Sequence, residues 1–271
     1  MVISGNTRLI AHLGYPTAKF KAPMIYNPWL VHQQVDAKVV PMGVKPEDYA
    51  AFVPMLFKMT NIIGALVTMP HKIATCGLVQ RLSPTAAIAG ACNAIRAEAD
   101  GTLSGDMFDG EGFVLGIKRK GFQTRGARAL VVGSGGVGSA IAASLAAAGV
   151  SALTLYDVRS QTAEALAGRL LQHYPRLDIT LMRRDPQGHD LVVNATPLGM
   201  KEGDPLPLDP QRLTPGTFVG EVVMARGGEA LLTTMDEIGA RIQPEPGWRD
   251  DVITFESEPP DRSTKSTRSY Q

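Results

Sequence analysis

The run Gly133-Ser134-Gly135-Gly136-Val137-Gly138 has the spacing G-x-G-x-x-G, which lets a backbone approach the pyrophosphate of a dinucleotide. Gly133 permits a tight turn after a strand, Gly135 leaves room for the phosphates, and Gly138 lets the following helix pack closely on that strand. Spare N–H groups at the helix start then face the anion. A glycine run alone is equally compatible with a plain turn. The setting favours the ligand here, because the run follows the apolar residues 129–132 and opens an apolar helical stretch. About twenty residues further on, at the end of the next strand, stands Asp157, whose carboxylate can accept hydrogen bonds from the ribose hydroxyls of NAD. Its charge would repel the 2′-phosphate of NADP, whereas Arg159 could hold that phosphate. NAD is therefore the expected cofactor, with NADP possible.

The elements that carry this loop are legible as apolar runs. Residues 129–132, 152–156, 191–194 and 218–223 read as strands, and 137–148 and 161–173 as helices. Upstream, 9–14, 37–42 and 62–68 read as strands and 23–31 and 46–59 as helices. Gly101 marks a turn between two short strands, and 109–120 reads as a connecting helix. The nearly continuous apolar run 62–68 predicts a strand buried on both faces, hence a parallel sheet. The expected fold class is α/β, with an N-terminal α/β substrate-binding and catalytic domain over 1–106 and a Rossmann-type dinucleotide-binding domain over 107–240. An atypical C-terminal tail over 241–271 follows, and its last stretch, 256–271, has no aliphatic residue and is expected to be disordered.

Composition narrows the function classes. The 271 residues carry a formal net charge of +1, from 27 basic and 26 acidic side chains, so no charge excess points to nucleic acid or an anionic membrane. The two cysteines and five histidines show no ligand spacing, so no metal is expected. The start of the chain lacks the pattern of a secretory leader, and no apolar run reaches the roughly 18 residues of a membrane span. A cytoplasmic protein acting on a small molecule, monomeric or homodimeric, is expected.

Several further segments carry a family likeness. They are Gly14-Tyr15-Pro16 with Pro23-Met24-Ile25-Tyr26-Asn27; Gly64-Ala65-Leu66-Val67-Thr68-Met69-Pro70-His71-Lys72; Gly90-Ala91-Cys92-Asn93; and Gly105 to Asp109 with Gly110 and Gly112. Asn194-Ala195-Thr196-Pro197-Leu198-Gly199-Met200 and Glu221-Val222-Val223-Met224 with Leu231-Leu232 follow the glycine loop. In this order, over about residues 9–240, they resemble the shikimate dehydrogenase family. The resemblance implies that Lys72 and Asp109 are the catalytic pair and that Thr68 and Asn93 bind substrate hydroxyls. It also implies that Asn194, Ala195, Thr196 and Val222 belong to the cofactor site. The chemistry agrees: oxidising a secondary alcohol by hydride transfer needs a base for the hydroxyl proton, and a lysine of lowered pKa can take it and return it. A neighbouring carboxylate orients the ammonium, and the cofactor accepts the hydride.

The departures from the family pattern concentrate in the substrate pocket. Phe20 and Ala22 stand where family members carry two serines that hold the substrate carboxylate, and Met224 stands in place of a tyrosine. Leu66 replaces an asparagine, and Met107-Phe108-Asp109 replaces Asn-Thr-Asp. Lys19 and Lys21 offer an alternative clamp for a carboxylate. In the cofactor loop, Asp157-Val158-Arg159 replaces Asn-Arg-Thr, and loss of the arginine at Val158 favours NAD. The expected function is oxidation of a ring hydroxyl of shikimate, quinate or a related small cyclic acid. The same machinery acting on a less polar alcohol, or a nucleotide-binding sensor without turnover, are the alternatives.

Overall fold

The computed structural model describes residues 3–199, 201 and 203–222. The expected tail 241–271 and the site position Met224 lie outside the described residues.

The first unit runs β1 (Arg8–Gly14), α1 (Ala22–His32), β2 (Ala37–Gly43), α2 (Pro46–Leu56), β3 (Ile62–Val67), α3 (Lys72–Thr75), β4 (Arg81–Leu82), α4 (Pro84–Ala89), β5 (Ala94–Ala97) and β6 (Leu103–Asp106). Its 6-stranded sheet has the order β2-β1-β3-β5-β6-β4. β1 pairs parallel with β2 and β3, as expected, with Leu13 opposite Val67. The expectation of a parallel sheet fails at β5, which runs antiparallel to both β3 and β6, whereas β4 again pairs parallel with β6. For the β5–β6 pair the cause is local. β5 and β6 are joined by a tight hairpin at Gly101, whose φ of +82° suits glycine, and a short connection can only make an antiparallel pair.

The second unit runs α5 (Asp109–Arg119), β7 (Arg128–Val132), α6 (Gly136–Ala147), β8 (Ala152–Tyr156), α7 (Ser160–His173), β9 (Asp178–Leu181), β10 (Leu191–Asn194) and β11 (Phe218–Glu221). Its 5-stranded sheet, ordered β11-β10-β7-β8-β9, is parallel throughout. β7 and β10 are almost wholly buried, as parallel strands covered on both faces must be. The edge strand β9 was not expected from the sequence. Only alternate residues of it are half-buried, so it lacks the apolar run that marks its neighbours.

The helix α4 was also not expected, though it carries recognisable end signals. The Ser83 hydroxyl accepts from the Ala86 amide, Pro84 occupies the first turn, and Gly90 closes the helix at φ +65°. This short helix ties the units together. Ile88, fully buried, belongs to the core formed by Phe113, Ile117, Ile141 and Leu145 of the second unit. The Arg169 guanidinium on α7 donates to the Ile88 carbonyl at 2.6 Å.

Candidate active site

β3 ends at Val67, and the chain turns through Thr68 into α3, whose first residue is Lys72. The Thr68 amide donates to the Leu13 carbonyl and the Val67 amide to the Asn93 carbonyl. Asn93 precedes β5, and Asp109 is the first residue of α5. These ends meet. Lys72 Nζ donates to Asp109 Oδ2 at 2.6 Å, and Asn93 Nδ2 donates to Asp109 Oδ1 at 2.7 Å. Asn93 Oδ1 accepts from the Phe108 amide at 2.9 Å, so the carboxamide is oriented at both ends. The Lys72 and Asp109 side chains retain 26% and 19% of their exposure, enough for a reacting hydroxyl to reach the pair. The helix start favours the Asp109 carboxylate.

The lysine is held by its neighbours. The Lys72 carbonyl accepts the Cys92 amide at 2.8 Å. His71, to which the sequence assigned no role, is buried. Its Nε2 lies 2.8 Å from the Val44 carbonyl oxygen, and its ring stacks on Tyr49 at 3.9 Å. Tyr49 in turn bonds Thr75 at 2.7 Å, which fixes the turn that carries Lys72.

The expected substrate side is apolar around Phe20. Its ring lies 4.1 Å from the His12 ring. It also occupies space against Gly14, where a Cβ would come within 2.7 Å of Phe20 and 2.5 Å of the Thr68 methyl. Thr68 and Phe20 therefore share one corner, and Ala22 opens α1 beside it. Two departures from the family pattern belong to packing instead. Leu66 joins Leu30, Ala37 and Val39 beneath α1, and Met107 is buried with Ala86, Cys92 and Ala140. Phe108 is 48% exposed. His12 is a buried polar residue that sequence reasoning passed over; burial lowers its pKa, and Nδ1 finds no partner among the described residues. Its only signal was a histidine within the apolar strand 9–14.

The glycine loop has the shape its spacing predicts. Gly133 has φ +102°, and a Cβ there would lie 2.7 Å from the Ala195 carbonyl oxygen. A Cβ on Gly138 would run into the Gly133 carbonyl, whereas Gly135 and Gly136 have open space where a side chain would stand. That open cradle at the start of α6 fits a pyrophosphate. Val137 packs on the core behind it. Asp157 is 8% exposed and accepts from the Ser134 amide at its Oδ2 and the Arg159 amide at its Oδ1, both at 2.9 Å. It thus ties the loop to the end of β8. Val158 is 86% exposed, and the Arg159 side chain projects into solvent with its Nε 3.8 Å from Asp157.

Asn194 is fully buried and fully committed. It donates to the Glu221 carboxylate and the Leu198 carbonyl, and accepts from the Thr196 amide and hydroxyl. These bonds shape the loop that holds Ala195 against Gly133. Glu221, read in the sequence only as the start of a family-like segment, is a buried carboxylate that anchors that asparagine from β11. Val222 packs half-buried beside them. Among the described residues no side-chain cluster could hold a metal ion, and no helix is long and apolar enough to cross a membrane.

Comparison with known proteins gives a consistent result. The family described as the shikimate dehydrogenase substrate binding domain matches residues 13–95. The chain is 36% identical over 233 residues to a shikimate dehydrogenase (NADP(+)) of Rubrobacter xylanophilus, covering 85% of this chain and 82% of the relative. It is 37% identical over 224 residues to a shikimate dehydrogenase (NADP(+)) of Acidiphilium cryptum, covering 82% and 79%. The fold superposes with a TM-score of 0.78 on a shikimate 5-dehydrogenase from Listeria monocytogenes crystallised with shikimate and NAD. That protein is 26% identical, and the match covers 88% of this chain and 86% of that one.

Proposed function

This chain belongs to the shikimate dehydrogenase family, and from that premise we propose that it is an NAD(P)-dependent dehydrogenase oxidising a ring hydroxyl of shikimate, quinate or a related small cyclic acid. The observation that carries the reading is the cluster of Lys72, Asp109 and Asn93, with both carboxylate oxygens of Asp109 engaged. In this reading residues 1–106 bind the substrate and 107–240 the cofactor. The substrate hydroxyl enters between Lys72 Nζ and Asp109. Lys72 accepts its proton, Asp109 holds the ammonium that forms, and Asn93 keeps Asp109 in place. Thr68, at the corner shared with Phe20, bonds a second ring hydroxyl. Gly135, Gly136 and the first amides of α6 would hold the pyrophosphate of a nicotinamide dinucleotide, with Ala195 and Thr196 on the neighbouring loop, and such a cofactor would supply a hydride acceptor.

For the cofactor we favour NAD over NADP. The relatives named above carry NADP(+) in their names, so the choice in this chain turns on Asp157 against Arg159. Asp157 places a carboxylate beside the loop, and the exposed Val158 offers a phosphate nothing. The test is to follow reduced cofactor while screening shikimate, quinate and related hydroxy acids with NAD and NADP in parallel at one ionic strength. Turnover of a cyclic hydroxy acid with the better kcat/KM on NAD is expected. Failure of every such acid would defeat the substrate assignment, and a better kcat/KM on NADP would assign the phosphate to Arg159.

A further inference from the structure

The two cysteines take no part in the mechanism above, yet both abut the catalytic lysine. Cys76 lies one helical turn beyond Lys72, and its Sγ is 4.0 Å from the Lys72 carbonyl oxygen. The Cys92 amide bonds that same carbonyl, and Cys92 is the residue before Asn93. The two sulfurs are 3.6 Å apart, from positions 16 residues distant in sequence. Cys92 is buried, its sulfur held against Gly105, where a Cβ would come within 2.7 Å of it. Cys76 is partly exposed. Burial and the neighbouring sulfur push the Cys92 thiol well above its ordinary value. Cys76 is therefore the thiol that meets a reagent first, and Cys92 waits behind it.

We propose that Cys76 and Cys92 form a redox-modification site, converted by a peroxide into a disulfide that draws Lys72 and Asn93 out of register with Asp109. The Cys76 thiolate attacks one peroxide oxygen. An S–O bond forms, the O–O bond breaks, and hydroxide leaves to become water. The Cys92 sulfur then attacks Cys76, forming the S–S bond and breaking the S–O bond. The departing hydroxide takes the Cys92 proton and leaves as a second water. Two thiols are oxidised, and one peroxide is reduced to two waters. A disulfide holds its sulfurs about 2.05 Å apart, so the pair must close by about 1.5 Å from its present separation. Both residues pull on the segment that carries the Lys72 carbonyl, and displacements of about 1 Å at a reacting pair cost up to 100-fold in rate.

The consequence for turnover rests on the dehydrogenase reading, whereas the cross-link itself does not, and the experiment separates the two. The full chain is treated with hydrogen peroxide, and intact mass and peptide mapping are recorded with and without dithiothreitol. The expected result is a Cys76–Cys92 cross-linked peptide and loss of the mass of two hydrogen atoms. The rate at which an amine-selective reagent acylates Lys72 should also change, and turnover should fall at least about tenfold, all restored by the reductant. Cys76→Ser, and independently Cys92→Ala, should keep the reduced turnover and resist the peroxide. Two thiols still alkylated after treatment would overturn the proposal. So would a cross-link that leaves Lys72 acylation unchanged, or variants that lose turnover to peroxide as fully as the parent chain does. If the reduced protein turns over no tested acid, the dehydrogenase reading fails, and the cross-link and acylation readouts still decide this one.

Discussion

Lys72 joins a short helix start to a carboxylate on another element, and the role proposed for it predicts a clean separation of effects. Lys72→Ala should lower kcat by about 10²–10⁴, the scale of a general acid–base group. Cofactor affinity, measured by fluorescence titration, should hardly move, because the glycine loop is built from other residues. The proposed function places specificity at a different corner. Phe20 packs on His12 and against Gly14 where hydroxyl ligands are expected. Restoring both with Phe20→Ser and Ala22→Ser should lower KM for shikimate at least about tenfold, since each recovered charge-assisted hydrogen bond contributes roughly 1.5–3 kcal/mol. An unchanged KM, with initial rates measured across a wide shikimate range, would mean that other groups hold the carboxylate. His12 adds a pH dependence. Burial lowers its pKa below the ordinary 6.5, so the unfolded chain binds the proton more readily. Its contribution to stability is present above that value and is lost as pH falls below it. Urea unfolding at pH 7.5 and 5.5 should show a smaller pH loss in His12→Phe than in the parent chain.

Elements place these residues by close approach of backbones. Gly110 follows Asp109 and faces α6, where a Cβ would collide with the Ala140 carbonyl. Nothing flexible can yield there, because the obstacle is helix backbone. Gly110→Ala should therefore push α5 away from α6, costing about 1–3 kcal/mol in urea unfolding. It should also lower kcat, since Asp109 moves with the helix start. The helices and parallel strands around this contact are readable because their apolar periods are long. β9 and α4 are harder to read. β9 is a half-exposed edge, and α4 (Pro84–Ala89) is too brief to establish a period, although Ser83, Pro84 and Gly90 mark its ends.

At the scale of the molecule, the two units are joined through α4, and the Lys72–Asp109 pair spans that junction. Ile88 comes from the first unit and fills the core of the second. Ile88→Ala should cost about 2–5 kcal/mol, and circular dichroism should show whether unfolding stays a single transition. A second, separate transition would mean that the junction had been carried by this residue. The glycine loop, the strand-end Asp157 and the apolar strands were determined by sequence alone, because each depends on local backbone geometry or on a period within one element. The turn at Gly101 between two short strands was legible too, but the antiparallel placement of β5 beside β3 depended on how strands pair, which a buried apolar run does not specify. The same limit applies to single residues. Leu66 and Met107 differ from the family at motif positions, yet only the packing shows that Leu66 is half-buried beside Leu30 and Val39 and that Met107 is buried with Ala86, Cys92 and Ala140. Asn194 sits in a segment whose family likeness implies cofactor contact, yet only its bonds to Glu221 and Thr196 show that it shapes the loop from within. Lys72, Asn93 and Asp109 lie on separate elements, and their hydrogen bonds exist only because both sheets and α5 bring three chain ends to one point. A linear sequence records residue types and local periods, and contacts between distant residues are decided by how the elements pack.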